Sequence, residues 1–229
     1  MTFEVRLSTT AEEAACAAAE LVAQRAVIEI ERSGSFVWAV SGGSTPAHFL
    51  AELAHHDHVD WSAVHLFQVD ERIAPLGAPT RNDTMIRDRF VDHRPEVHYH
   101  PLPVEAADLP SALADHLLEL ERRTGVPARL DLVQLGLGTD GHTASLVPDD
   151  PVLAADTEFA VTERYNDTRR VTMTAPLLNR AAERMFLVTG ADKDLALHQL
   201  AARDPGIPAS LITHERTTVV TDRPVSSDR

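Results

Sequence analysis

Short apolar segments alternate along most of the chain with longer segments of helical periodicity. The apolar segments "TFEVRLS", "FVWAV", "VHLFQV", "LDLVQLGLG" and "MFLVTG" have the composition of strands, and the last four are apolar almost throughout. A helix is predicted after the first strand, because Thr10 and Glu13 have capping-box spacing and Ser33-Gly34 provides a stop near Arg32. Strands that are apolar on both faces indicate a sheet covered by helices on each side.

The remaining segments extend this alternation to the end of the chain. A helix is predicted from the glycine turn after "FVWAV" to about His55, and another from Asn82 or Asp83 to about Val91. Two more helices are predicted in "SALADHLLELERRTG" and in "ADKDLALHQLAAR". Further strands are predicted in "EFAVTE", "RRVTMT" and "TTVVTD". Together the elements predict an α/β fold, a three-layer αβα sandwich with a mostly parallel sheet. We expect one domain over residues 1–229, with a frayed tail at 224–229.

Ligands of such sheets bind beyond the carboxyl ends of the strands, so the turns after the strands are the places to search for chemistry. The strand "FVWAV" is followed by the turn "SGGSTP" and a helix. Its glycines let a ligand approach the backbone, and the free amides and hydroxyls at the helix start favour an anion such as phosphate. An ordinary capped turn would share this composition, and the turn matches neither the Walker nor the dinucleotide pattern. The candidate phosphate-binding residues here are Ser41, Gly42, Gly43, Ser44 and Thr45.

Charged side chains follow two of the other strands abruptly. Asp70-Glu71-Arg72 comes after "HLFQV", and a guanidinium at Arg72 suits bidentate binding of an anion, although a solvated strand end would look similar. Asn82 lies shortly downstream and, with Asp70, is a candidate for other contacts to a substrate. Lys193 follows "MFLVTG" and is the single lysine among 21 basic residues, which favours a selected point charge at that position.

The stretch "GLGTDGHTAS" after the strand "LDLVQL" is the most specific in the chain. Asp140 and His142 stand two residues apart between glycines, and a carboxylate at that distance can orient a histidine for proton transfer near neutral pH. They are the candidate catalytic residues. Arg169 is a further candidate for the phosphate, whereas Arg170 beside it has the pattern of a solvated surface residue.

Composition and charge restrict the possible partners and surroundings. The net charge of −14 argues against nucleic acid and anionic membranes, so an anionic substrate would need a locally basic pocket. No apolar run approaches the roughly 20 residues of a membrane span, and the start of the chain lacks the order of a signal peptide. The single cysteine excludes an internal disulfide, and we expect a cytoplasmic protein. Histidines at 55–58 and 98–100 do not have the spacing of a zinc site, so no metal is expected.

The chain resembles the 6-phosphogluconolactonase family over roughly residues 3–222. The resemblance is carried, in order, by "SGGSTP", "VDER", "RND", "DLVQLGLGTDGHTASLVP", "RRVTMTAPLLNRA", "FLVTGADK" and "IPASLI". The same superfamily includes glucosamine-6-phosphate deaminases, which share the glycine turn and Asp-Gly-His but carry a glutamate five residues after the histidine. This chain has Val147 there, which favours the lactonase branch. It departs from the lactonases at 165–168, where "YNDT" replaces a proline-rich run.

The resemblance implies a modified Rossmann-like sandwich and hydrolysis of 6-phospho-D-glucono-1,5-lactone in the oxidative pentose phosphate pathway, without a cofactor. His142 would be the general base, with Asp140 orienting it and stabilising its protonated form. The phosphate would bind to the 41–45 turn with Arg72, Lys193 and Arg169. A deaminase-like sugar-phosphate enzyme and a non-catalytic sugar-phosphate sensor remain alternatives. We expect a small-molecule partner and a monomer or weak homo-oligomer.

Overall fold

A seven-stranded sheet forms the centre of the fold in the computed structural model, which describes residues 3–225. All neighbouring strands in it are parallel. In spatial order the strands are β1 (Glu4–Leu7), β10 (Thr217–Thr221), β9 (Glu183–Val188), β6 (Leu132–Leu135), β2 (Phe36–Val40), β3 (Val64–Gln68) and β5 (His98–His100). The α/β prediction is therefore confirmed, with β5 as an edge strand that the sequence pattern did not indicate.

Helices cover both faces of this sheet. One face carries α1 (Ala11–Ser33), α2 (Ser44–Leu53) and α3 (Asn82–Ile86) with a π-helical turn at Arg87–Val91; the other carries α4 (Leu109–Thr124), α5 (Ala175–Arg180) and α6 (Asp194–Ala202). The alternation of side chains along β2 explains the two layers. Trp38 packs with Phe49 of α2 on the first face, whereas Val37 and Ala39 join the core of the second face.

The ends of α1 follow the sequence signals closely. The Thr10 side chain accepts a hydrogen bond from the Glu13 amide at 3.1 Å, as the capping-box spacing predicts. The Glu13 carboxylate reaches back to the amide of Thr9 at 2.9 Å rather than to that of Thr10. Gly34 ends the helix in the left-handed region with φ of 85°. Local chemistry therefore determines where this long helix begins and ends.

A second, three-stranded antiparallel sheet lies beside the main one. Its order is β4 (Asp70–Arg72), β8 (Arg170–Met173) and β7 (Phe159–Val161). The predicted strands "EFAVTE" and "RRVTMT" exist, but they belong to this small sheet as β7 and β8. The charged segment 70–72, which was expected at the end of a strand, forms the remaining strand, β4. Apolar residues of this sheet pack with Leu102 and Val104, which gives it a small core of its own. The small sheet holds the candidate residues at 70–72 and 170 in a fixed register.

Within the described residues, no helix is long and apolar enough to cross a membrane. Short 3-10 turns at 61–63, 151–154, 191–193 and 208–211 connect the larger elements. The expected frayed tail at 224–229 falls largely on 226–229, which lie outside the described residues.

Histidines of β3, β5 and α4 gather where the main sheet ends. The rings of His98 and His100 stack on His65 at 4.7 and 5.3 Å, and His116 of α4 lies edge-on to Phe67 at 5.4 Å. Burial lowers the pKa of His116 to about 4, with a smaller contribution from His100, and lowers that of His65 to about 4. The Nε2 atom of His116 is buried without a hydrogen-bond partner in the described structure.

We predict that His116→Phe makes the protein less sensitive to acid. An unfolded histidine titrates near pH ~6.5. Because the native His116 stays neutral until about pH 4, the unfolded state binds more protons between these limits, and stability falls as the pH falls. The gain in Tm of the variant over the parent should therefore grow as the pH is lowered from 7 to 5, measured by thermal melts. The exposed His93→Gln is the control. A pH-independent difference between His116→Phe and the parent would contradict this explanation.

Candidate active site

The candidate site lies where the order of the main sheet reverses. The chain runs from β2 outward through β3 to β5 and then returns to place β6 on the opposite side of β2. The carboxyl ends of β2 and β6 are therefore adjacent while their connections diverge, which opens a crevice of the kind that binds ligands in α/β sheets. The Ser41 amide donates to Gln134 Oε1 at 3.2 Å, and the Ser41 hydroxyl donates to the Gln134 carbonyl at 3.2 Å, so the two strand ends are joined.

A cavity of about 230 Å³ occupies this crevice. Most of the residues that the sequence singled out line it, from four separate parts of the chain. Asp140 and Arg169 do not: Asp140 lies behind His142, and the Arg169 side chain is exposed. The lining includes Ser41, Gly42, Gly43, Ser44, Thr45, Asp70, Arg72, Asn82, His142, Arg170 and Lys193.

The glycine turn carries the start of α2 into the cavity. Helix α2 begins at Ser44, two residues before Pro46, with Gly43 as its N-cap at φ of 127° and no capping side chain. The first amides of a helix have no acceptor within the helix, so those of Ser44 and Thr45 remain available to an anion. A Cβ on Gly42 would lie 1.9 Å from Asn82 Oδ1, so this position requires glycine. The turn therefore offers amides and hydroxyls without a side chain in the way.

The buried carboxylate of Glu71 organises the opposite wall. Glu71 is 0% exposed and accepts the amides of Arg72 at 2.7 Å, Asn82 at 2.8 Å and Asp83 at 2.7 Å. Nε of the buried Arg81 lies 3.2 Å from it. A buried charge is tolerated when it is paired and hydrogen-bonded in this way. The sequence pattern indicated no role for Glu71, and its only signal was its place within three consecutive charged residues after a buried strand.

Asp70 and Asn82 are held by the same network. The Asn82 amide group donates to the Asp70 carbonyl at 2.8 Å, and its Oδ1 accepts from the Arg72 guanidinium at 2.5 Å. The second carboxylate oxygen of Asp70 accepts from the Ser145 hydroxyl at 2.5 Å. The Asp70 carboxylate thus accepts hydrogen bonds from protein groups although it also lines the cavity. The Arg72 guanidinium is oriented by Asn82 and by the Thr80 carbonyl at 2.8 Å.

Asp140 and His142 form a hydrogen-bonded pair. Nδ1 of His142 lies 2.6 Å from Asp140 Oδ1, which also accepts the His142 amide at 3.2 Å. The other carboxylate oxygen accepts the Tyr165 hydroxyl at 2.8 Å. Burial raises the pKa of the Asp140 carboxyl, but the hydrogen bonds from Tyr165 and His142 outweigh this and leave the pKa below its ordinary value. The carboxylate therefore stays ionised beside the imidazole, which leaves Nε2 of His142 as the nitrogen free to accept a proton.

Arg170, and not Arg169, is the arginine of this pair that reaches the cavity. Strand β8 alternates its side chains, so neighbouring residues point to opposite faces. Arg169 is exposed and donates from Nε to the Thr162 carbonyl at 3.1 Å. Arg170 is 7% exposed, lines the cavity and has an Nε buried without a hydrogen-bond partner in the part of the chain described. The register of the strand therefore places Arg170 at the cavity and the candidate Arg169 at the surface.

Cations dominate the polar lining of the cavity. Arg72, Arg170 and Lys193 face it, and the Lys193 ammonium lies 3.5 Å from Asp192, an exposed partner in a high-dielectric setting. Asp70 is the buried acidic group among the lining residues, and it already accepts hydrogen bonds from Asn82 and Ser145. The site is locally basic although the protein carries a net charge of −14.

We predict that Gly138→Ala disrupts the Asp140–His142 pair. A Cβ at Gly138 would lie 2.1 Å from His142 Nδ1 and 2.5 Å from Asp140 Oδ1, so the pair must separate. We expect a loss of about 100-fold in kcat with less than about 2 kcal/mol lost in stability, because the clash falls on side chains at the surface of the crevice. Gly136→Ala is the matched control, since nothing lies within 4 Å of the added methyl group. Equal kcat values for the two variants would show that the close approach of the Asp140–His142 pair to Gly138 is not required.

The fold and site together define a class of enzymes: α/β proteins with a glycine-rich turn and an Asp-Gly-His loop at the switch point of the sheet. The sequence profile of the glucosamine-6-phosphate isomerases/6-phosphogluconolactonase family matches residues 9–221, and the chain belongs to that family. A relative named 6-phosphogluconolactonase, from Synechocystis, is 36% identical over 187 residues, which cover 79% of this chain and 78% of the relative.

Solved structures show the same fold. A 6-phosphogluconolactonase from Shewanella baltica superposes with a TM-score of 0.84 at 20% identity, covering 96% of this chain and 97% of that one. A monomeric glucosamine-6-phosphate deaminase superposes with a TM-score of 0.81 at 18% identity, again covering 96% and 97%. The two activities share one architecture, so they must be distinguished by residues in the site.

Proposed function

We propose that the protein hydrolyses 6-phospho-D-glucono-1,5-lactone to 6-phospho-D-gluconate. The observation that carries the proposal is that His142 and the 41–45 turn line one cavity, so that a proton acceptor and an anion cradle face the same small ligand. The relative at 36% identity that bears this activity in its name supports the choice of substrate. A strained ring ester needs only a positioned water, a base and charge stabilisation.

His142 acts as the general base in this proposal. Its Nδ1 is committed to Asp140, so Nε2 takes a proton from water as the oxygen attacks the lactone carbonyl carbon. The resulting tetrahedral intermediate breaks the bond to the ring oxygen, which receives the proton from His142 and becomes a hydroxyl. The carboxylic acid then loses its proton to solvent. Asp140 stabilises the imidazolium while it exists, as its carboxylate lies 2.6 Å away.

The phosphate binds at the other wall, on the 41–45 turn. The amides at the start of α2, with Arg72 and Lys193, offer hydrogen bonds and positive charge to a dianion. Binding at this distant group would hold the ring against His142 and lower the barrier through orientation. The electrostatic cost of placing a phosphate ester in an acidic protein is offset by these local cations.

Arg170 replaces Arg169 as the arginine proposed to contact substrate. Its guanidinium lies 5.1 Å above the Tyr165 ring, whose other neighbour is the His142 ring at 5.6 Å, so the cation sits near the reacting end of the site. A buried arginine whose Nε has no hydrogen-bond partner among the described residues is suited to an anionic or developing negative charge of the substrate.

The site favours a lactonase over a deaminase. The deaminases that the chain resembles carry a glutamate five residues after the histidine, and here Val147 at that position is 2% exposed and packed in the protein. No carboxylate is therefore supplied there for ring opening. The fold alone would suit either activity.

We predict that the protein accelerates opening of fresh 6-phosphogluconolactone above the spontaneous rate, and that His142→Ala lowers kcat by about 10²- to 10⁴-fold because a general base is lost. The exposed His58→Ala serves as control and should keep the parental rate. Ammonia release from glucosamine 6-phosphate is measured in parallel and should be absent. Turnover of the amino sugar, or binding of 6-phosphogluconate without lactone hydrolysis, would point to a deaminase or to a sensor instead.

We predict opposite outcomes for the two neighbouring arginines. Arg170→Met should lower kcat/KM by about 100-fold, because a cation facing the substrate is lost from a low-dielectric site. Arg169→Met should stay within about twofold of the parent, since its side chain is exposed and bonds to the Thr162 carbonyl. Steady-state kinetics on both variants, with circular dichroism as the check on folding, decide the matter. A larger loss for Arg169→Met would return the role to that residue.

A further inference from the structure

The segment in which this chain departs from its family, "YNDT" at 165–168, contacts the Asp140–His142 pair directly. Tyr165 donates its hydroxyl to Asp140 Oδ2 at 2.8 Å, while Asp140 Oδ1 faces His142 Nδ1 at 2.6 Å. The two carboxylate oxygens are thus assigned to different partners. A carboxylate with a single partner can rotate about its Cβ–Cγ bond, whereas one bonded on both oxygens is fixed in orientation.

A tight hairpin holds Tyr165 in place. Tyr165 and Thr168 exchange backbone hydrogen bonds at 3.1 and 3.3 Å, which leaves a two-residue loop. The loop residues Asn166 and Asp167 have φ of 48° and 62°, the left-handed values that a type I′ turn requires and that these residue types tolerate. The flanking pair β7–β8 belongs to the small sheet, so the tyrosine is mounted on a rigid support.

The ring of Tyr165 has contacts of its own. Its centroid lies 5.6 Å from that of His142, at an interplanar angle of 65°. The guanidinium carbon of Arg170 lies 5.1 Å from the ring centroid, a cation–π distance. One side chain therefore touches the proposed base, the carboxylate that orients it and the cavity cation.

We propose that Tyr165 is a positioning residue: its hydroxyl directs the Asp140 carboxylate onto His142, and its ring directs the Arg170 guanidinium into the cavity. This rests on the proposed function, because the pair it positions is the proposed base and its partner. Tyr165 is 25 residues from Asp140 in sequence, and the small sheet brings the two together. The charged or titratable groups that face the Asp140–His142 pair or share its cavity are Tyr165, Arg170, Asp70, Arg72 and Lys193.

The test separates the hydroxyl from the ring. Tyr165→Phe keeps the ring over Arg170 and removes the hydrogen bond, so kcat should fall about tenfold while KM stays within about twofold. Tyr165→Leu removes the ring as well, and KM should then rise in addition, because Arg170 loses its support. Asp167→Gly is the matched control in the same loop: Asp167 has φ of 62°, glycine adopts positive φ readily and Asn-Gly suits a type I′ turn, so hairpin and kinetics should stay parental.

The pH profile provides a readout that a merely structural role would not move. Without the Tyr165 hydrogen bond, the Asp140 carboxylate can rotate away from His142, so the imidazolium is stabilised less. The acid limb of the kcat profile should therefore move to lower pH by about 0.5 unit in Tyr165→Phe. A parental pH profile with a lowered Tm would mean that Tyr165 only supports the fold, and would overturn the proposal.

NMR makes the result independent of turnover. The His142 ring is followed by its proton and nitrogen resonances, identified by their loss in His142→Gln, and its titration midpoint should fall in Tyr165→Phe as in the kinetics. A parental protein without lactonase activity would overturn the proposed function, yet the His142 titration would still decide the role of Tyr165. An unchanged midpoint in Tyr165→Phe would overturn the positioning role even in an active enzyme.

Discussion

The parallel pairing of β2 with β6 is the constraint on which the site depends. Val40 and Gln134, which pair across these strands, are 94 residues apart in the sequence. Val40 lies opposite Gln134, and the buried Gln134 side chain and carbonyl hold Ser41 at the start of the glycine turn. Because parallel strands end on the same side, the turn after β2 and the Asp-Gly-His loop after β6 must share an edge.

A second constraint is the burial of charge around Glu71. Its carboxylate accepts backbone amides from both β4 and the start of α3, and so it ties Arg72 to Asn82 across the wall of the cavity. Removing such a group would leave several amides without their acceptor and the Nε of the buried Arg81 without its nearby carboxylate. Glu71 therefore holds the backbone of Arg72, one of the cations of the cavity, in place by a buried negative charge. This arrangement reconciles a basic site with an acidic protein.

Local signals in the sequence were sufficient wherever chemistry and structure depend on near neighbours. The capping of α1 by Thr10, its end at Gly34 and the apolar strands were visible because each depends on residues a few positions apart. The pairing of Asp140 with His142 was visible for the same reason, since they are two positions apart. The small sheet was harder to predict, because its strands are three or four residues long and β4 pairs with β8 across about 100 residues of chain.

By itself, then, the sequence determined the α/β class, the strand-end location of the cavity and most of the side chains that line it. Only the tertiary structure showed that Arg170 and not Arg169 lines the cavity, because the register of β8 sends neighbouring side chains to opposite faces. It alone brought Tyr165 to Asp140 and gave Glu71 its partners. These contacts join residues that are distant in the chain, and a pattern of near neighbours carries no information about which distant segments will pair.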